Sequence, residues 1–288
     1  MLVALKLKLA MVAGIFSAPI MLQSLAPAPV VNRADFVDIA PAAFGYRASG
    51  DFSQAARPVE GPRLTARLSS SLRIMKRQVT VAEYHRCVDA GACPRIVVAD
   101  DRPDVPMVGV NWHDAEAYAA WLSRAATGVT YRLPTDQEWT FAAAEKARDE
   151  VAPLVDPADP AQAWIARYDA ESSRAAAVVL TPQPIGSFGE NSNGLLDMGG
   201  NVWEWTETCF IRAMVDGGSI QVTNTNCGVR VVEGAHRTYM TDFIRDPRTG
   251  GCAAGVPPAN LGFRLVVETG FPGLRNIVSN FFNVRRAS

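Results

Sequence analysis

Five cysteines, three histidines and the arginines and carboxylates gathered between Glu233 and Arg248 hold most of the chemistry open to this 288-residue chain. Cys87 and Cys93 flank a short loop in which Gly91 lets the chain turn back, so they read as a disulfide; two buried free thiols are the alternative. An odd cysteine count leaves one thiol over. His85, His113 and His236 lack the paired spacing of a zinc or non-haem iron site, and each reads as a surface or hydrogen-bonded histidine. There is no Gly-x-Ser-x-Gly elbow, no phosphate-binding P-loop and no dinucleotide fingerprint. Serine catalysis and nucleotide chemistry are therefore not indicated.

The elements that must position these groups are legible in places. In TVAEYHRCVDAG, Thr80 and Glu83 have capping-box spacing, Tyr84, Cys87 and Val88 share a helical face, and Gly91 suits the stop. The same grammar recurs in NWHDAEAYAAWLSRAATG, ended by Gly128, and in TDQEWTFAAAEKA, where Thr135 and Glu138 form the box. The aromatics on these faces read as core rather than as a ligand cage. Beyond Asp149 the pattern changes to short strands and long loops, with turns at Asn193-Gly194, Gly199-Gly200, Gly217-Gly218 and Gly250-Gly251. One irregular α+β domain is the simplest account.

The ends suggest export. Lys6 and Lys8 precede the apolar run Leu9 to Ile15, and small residues with prolines follow, the order of a secretory signal over residues 1–31; an uncleaved anchor is the alternative. A periplasmic or secreted location follows, where nearby thiols oxidise. Residues 32–63, rich in Ala, Pro, Arg and Gly without sustained periodicity, read as an extended entry segment with at most one short strand, leading into a folded body at 64–268. The tail 269–288 carries an apolar stripe with a basic end, suited to packing on the body or a partner rather than to membrane binding. A net charge of -1 and the lack of a basic stripe exclude nucleic acid as a partner.

Four ordered segments, VPMVGVNWHDAEAYAAWL, YRLPTDQEWTFAAA, GLLDMGGNVWEWTE and GGS with NLGFRLV, resemble the signature set of the formylglycine-generating-enzyme, or sulfatase-modifying-factor, family. The resemblance runs roughly from Phe36 to Glu268. It implies an elaborated relative of the C-type lectin fold with little regular secondary structure. The long tail from Cys227 to Val266 is similar to exported members of two kinds, accessory proteins of copper nitrite reductase and pyoverdine-maturation proteins.

Active members of the family oxidise a substrate cysteine at copper(I) held by two thiolates, soft ligands that this ion prefers. The pattern is Gly-Gly-Ser, two residues, Cys, four residues, Cys. On GGSIQVTNTNC it matches Ser219, replaces the first cysteine with Val222 and keeps the second as Cys227. Valine cannot ligate copper, so formylglycine synthesis by that route is not expected. Cys227 then reads as a half-cystine with Cys209, in the segment after GGNVWEW, as its partner, which leaves Cys252 as the odd thiol, either reactive or inert.

The glycine-rich loop resembles the family's structural calcium site, with Asp197 and Glu204 as carboxylate ligands and Gly200 and Val202 as carbonyl ligands. The alternative is a metal-free loop in which Glu204 pairs with an arginine. At the family's other calcium site Arg167 stands where an asparagine is called for. Arg237, Arg245 and Arg248, with Tyr239, Glu233, Asp242 and Asp246, are expected to line the family cleft and bind a small polar or anionic substrate, surface ion pairing being the alternative. Arg264 reads as structural. Two functions compete. One is an oxidoreductase-type maturation enzyme acting on a small molecule or a periplasmic metalloprotein through Cys252 and Ser219. The other is a non-catalytic lectin-like module that binds or assembles a copper enzyme such as nitrite reductase.

Overall fold

The computed structural model describes residues 35–148, 181–247 and 260–269, together with Ile165 and Asp169. The signal segment, Arg167, the Gly250-Gly251 turn, Arg248, Cys252 and the tail from residue 270 lie outside the described residues.

Each capping box starts a helix. Thr80 precedes α1 (Val81–Asp89), Asn111 precedes α2 (Trp112–Ala125) and Thr135 precedes α3 (Asp136–Ala143); in each the cap side chain accepts from the third helical N–H while that residue's carboxylate accepts from the cap N–H. Satisfying these orphan donors is worth about 1 kcal/mol per cap. Gly91, at φ +69°, turns the chain after α1 so that Cys93 returns to bond Cys87.

Among the described residues twelve strands make three sheets. β1 (Phe36–Ile39), β6 (Leu72–Met75), β12 (Val266–Thr269) and β7 (Val129–Arg132) lie side by side in that order. β2 (Ala43–Arg47) pairs only with β5 (Arg63–Arg67). The largest sheet runs β10 (Thr238–Thr241), β9 (Ser219–Glu233), β8 (Trp203–Asp216), β3 (Asp51–Gln54) and β4 (Arg57–Val59), with β11 (Leu261–Gly262) parallel to β8. The core between helices and sheets is aromatic: Tyr84, Trp139, Trp205 and Phe263 are all buried to 1% exposure or less.

Two expectations need correction. Residues 36–63 do not lead into the fold; they hold β1 to β4, and β3 pairs with β8 in the central sheet. The strands are three to five residues long, too short to impose a periodic pattern on so glycine- and proline-rich a stretch. After the loop that ends at Asn201 the chain does not break into short strands but forms a hairpin of 14 and 15 residues, β8 and β9. Its outer half, IQVTNTNC, is exposed almost throughout, so no buried face alternates with polar residues to announce a strand. Gly217 and Gly218, at φ +52° and +92°, close the hairpin in the mirror-image turn that matches its twist.

Candidate functional site

A cleft of about 570 Å³ opens between the β2–β5 sheet, the first turn of α3 and the outer half of the β8–β9 hairpin. Phe52, Leu64, Ile211, Ile220 and Val222 give it an apolar wall, while Tyr46, Ser49, Asp136 and Thr208 give it a polar floor. Apolar enclosure with a few convergent polar groups is the form of a small-molecule site.

The floor is built around Asp136, the first residue of α3, which is only 2% exposed. The Tyr46 hydroxyl donates to one carboxylate oxygen and the Thr208 hydroxyl donates to the other at 3.0 Å. The Asp136 N–H returns a bond to Thr208 Oγ1 at 2.9 Å. Burial, then the neighbouring Asp136 charge, hold the Tyr46 phenol well above its ordinary pKa of 10.0. Tyr46 therefore keeps its proton and acts as a hydrogen-bond donor.

Beneath Tyr46 lies a second polar layer. The Arg237 guanidinium sits 5.2 Å from the Tyr46 ring centre, donates to Glu233 Oε1 at 2.6 Å and to the Arg47 carbonyl at 2.6 Å, and reaches Thr140 Oγ1 at 3.4 Å. Burial pushes the Glu233 carboxyl up to about 7 despite the opposing pull of Arg237. The Tyr239 hydroxyl accepts from the Gly50 N–H at 2.7 Å, and burial pushes it up to about 12. Asp136 and Glu207 are the charged residues on the lining, and no lysine or arginine is among the lining residues. The lining thus carries two carboxylates, of which Asp136 is buried behind Tyr46 and Thr208 and Glu207 lies 4.0 Å from Arg132.

The sequence-derived candidates are divided by the fold. Arg237 and Tyr239 serve the buried layer and are not at the cleft surface. Arg245 clasps Asp114 at 2.8 and 2.9 Å and lines a second cavity with Asp246. Asp242 faces His113 at 3.3 Å. One arginine cluster around one anion is not what these residues form, because the chain turns away after β10. Ser219 stands at the cleft mouth, exposed, with its hydroxyl donating to the Asp216 carbonyl at 2.7 Å. Val222 is 38% exposed on the wall, and Cys227 is bonded to Cys209.

The calcium ligands proposed from sequence do not fit the ion. Glu204 is fully buried, and its carboxylate accepts from Gln78 Nε2 at 2.7 Å, Trp139 Nε1 at 2.8 Å, and Arg264 Nε and Nη2 at 2.6 and 2.7 Å. A carboxylate offers roughly four lone-pair sites, so Glu204 has none left, and a cation would meet the Arg264 charge. Asp197 accepts from the Gly186 and Phe188 N–H groups at 2.6 and 2.8 Å, which ties the Gly200 and Val202 loop to the preceding turn. Glu204 pairs with an arginine, Arg264. Among the described residues no three His, Cys, Asp or Glu side chains gather as a metal site.

Sequence reasoning missed Tyr46, Ser49, Asp136 and Thr208. Asp136 reads as an ordinary first-turn acidic residue beside a cap. Only the pairing of β2 with β5 brings Tyr46 to it.

Residues 23–269 match the family profile described as the sulfatase-modifying factor enzyme 1-like domain. The chain belongs to this formylglycine-generating-enzyme family. Among curated relatives it is 31% identical over 177 residues to the mouse protein named inactive C-alpha-formylglycine-generating enzyme 2, covering 60% of this chain and 52% of that one. It is 41% identical over 115 residues to the Mycobacterium tuberculosis formylglycine-generating enzyme, covering 38% of this chain and 36% of that one. The chain thus spans about half or less of the length of these relatives. Among solved structures, PvdO from Pseudomonas aeruginosa superposes with a TM-score of 0.51 at 22% identity, covering 81% of this chain and 94% of that one, and so shares the fold.

Proposed function

We propose that this chain is an exported maturation factor of the formylglycine-generating-enzyme fold that binds in its cleft a small organic substrate or a side chain of a client metalloprotein, and does not make formylglycine by the copper route. The observation that carries this reading is the cleft itself, an apolar wall over the Tyr46–Asp136–Thr208 floor. The floor favours a hydrogen-bond-donating or cationic head group, because the lining holds Asp136 and Glu207 and no lysine or arginine, with Arg132 set behind Glu207 at 4.0 Å and Arg237 beneath Tyr46. This replaces the anionic substrate expected from the arginines.

The loss of the copper route rests on residues. Val222 supplies no sulfur, and the sulfur of Cys227 is spent in a disulfide rather than presented as a thiolate. A relative named as inactive shows that the scaffold also occurs under a name that denies the family reaction. The two disulfides support an oxidising, exported setting. Binding takes precedence over an oxidoreductase reading because among the described residues the Ser219 hydroxyl bonds only the Asp216 carbonyl, and Arg237 and Arg245 are split between two faces.

The test has two arms. Incubated with copper(I), oxygen and a cysteine-bearing peptide, the protein is expected to yield no aldehyde by mass spectrometry. In fragment screening by NMR, aromatic and aliphatic amines are expected to perturb Ile220 and Val222 methyl signals, and Val222→Trp, which fills the wall, is expected to abolish the perturbation at Ile220. Aldehyde formation, or fragments that bind equally well to the filled variant, would contradict the reading.

A further inference from the structure

The two disulfides sit in opposite surroundings. Cys87 and Cys93 are 0% and 8% exposed and belong to the main core, where a thiolate could neither enter nor leave. Cys227 is exposed on the outer half of β9, and Cys209 is half-buried on the lining of the cleft. Cys209 is also the cross-strand partner of Arg230, whose Nη1 donates to Cys209 Sγ at 3.3 Å and to the Glu207 carbonyl at 2.7 Å. The guanidinium is fixed by stacking at 3.9 Å on Trp112, and its buried Nε has no hydrogen-bond partner among the described residues. Glu116, Glu207 and Asp242 are the acidic groups whose field acts on it. A planar, permanently charged donor with capacity to spare is thus held against one sulfur of the pair.

Departure of a thiolate from a disulfide is faster when the leaving sulfur is stabilised as an anion, and attack goes to the sulfur that can be reached. We propose that Cys209–Cys227 is a thiol-exchange site. An incoming thiolate, from a low-molecular-weight thiol or a cysteine of an exported protein, attacks Cys227 Sγ. The S–S bond breaks, its electron pair leaves on Cys209 as a thiolate held by Arg230, and Cys227 carries the mixed disulfide. A second thiol then attacks the sulfur of the incoming group, forming the disulfide of the two thiols and releasing Cys227 as thiolate; the two thiols lose two electrons and the protein disulfide gains them. No other oxidant is needed. The site is independent of the ligand that the cleft holds, so its failure leaves the binding reading intact.

The experiment uses the full oxidised chain with any free thiol, Cys252 included, first capped by N-ethylmaleimide. Glutathione is then added, the reaction is quenched at intervals by acid, and peptides are mapped by mass spectrometry. Opening of Cys209–Cys227 is expected roughly tenfold or more ahead of Cys87–Cys93, with the first glutathione adduct on Cys227. In Arg230→Gln the opening is expected to slow roughly fivefold, with Arg230→Lys intermediate. Equal rates for the two disulfides, an adduct on Cys209, or undiminished opening in Arg230→Gln would overturn the proposal. The adduct position in the native chain decides the matter should Arg230→Gln not fold.

Discussion

Glu204 on β8 and Glu233 on β9 are directly opposed across the central hairpin, each is buried, and each is paired with an arginine. Their surroundings nevertheless differ in kind. Glu204 receives side-chain donors from Gln78, Trp139 and Arg264, which also ties the β6–α1 connection, α3 and the chain after β11 to one carboxylate. Glu233 receives Arg237, and Arg237 divides its donors between Glu233, the Arg47 carbonyl and Thr140 under the cleft floor. The first pair is a saturated joint that holds three elements together. The second is an under-supplied carboxylate, pushed up to about 7 by burial, set one layer below a binding surface. The lesson is that equal burial and equal partners do not make equal roles; the count of remaining donors does.

The largest expected effect breaks the saturated joint. Arg264→Leu leaves Glu204 buried without its cation and is expected to cost about 3–5 kcal/mol in urea unfolding, whereas a loss below about 1 kcal/mol would show that the joint is not what holds these elements. Next comes the floor. Tyr46→Phe removes the donor to Asp136 and is expected to cost about 1–3 kcal/mol by the same measurement.

The Glu233 pair is probed by pH. Its folded pKa stands above the ordinary 4.5, at about 7, so the folded state holds the proton more tightly. The stability from this group is fully present below about 4.5 and is lost as pH rises through about 7. Glu233→Gln is expected to remove that downward slope from the stability profile between these limits, and an unchanged profile would assign the slope elsewhere. The smallest effect is a null one. Calcium and a chelator are each expected to leave the melting temperature unmoved, because Glu204 has no free lone pair; a calcium-dependent rise would mean that Arg264 gives way to the ion.

These contrasts mark how far the sequence could be read. The capping boxes at Thr80, Asn111 and Thr135 are local, and so are the short loop that joins Cys87 to Cys93 and the ordered motifs that carry the family; all stand in the structure. What was illegible is non-local. Whether Glu204 faces a metal or an arginine depends on Arg264, 60 residues away. Arg237 and Arg245 are near in sequence, yet the turn after β10 sends one beneath the cleft and the other to α2. Tyr46 lies in a stretch without periodicity and meets Asp136, 90 residues on, only through sheet pairing.

The central claim is that the cleft floor selects a donor or cation over an anion. It is tested most directly by calorimetric titration of one aromatic scaffold bearing either an ammonium or a carboxylate, against the wild-type chain and Asp136→Asn. The expected result is at least roughly tenfold tighter binding of the ammonium form, a preference that Asp136→Asn erases. Tighter binding of the carboxylate form by the wild-type chain would contradict the account.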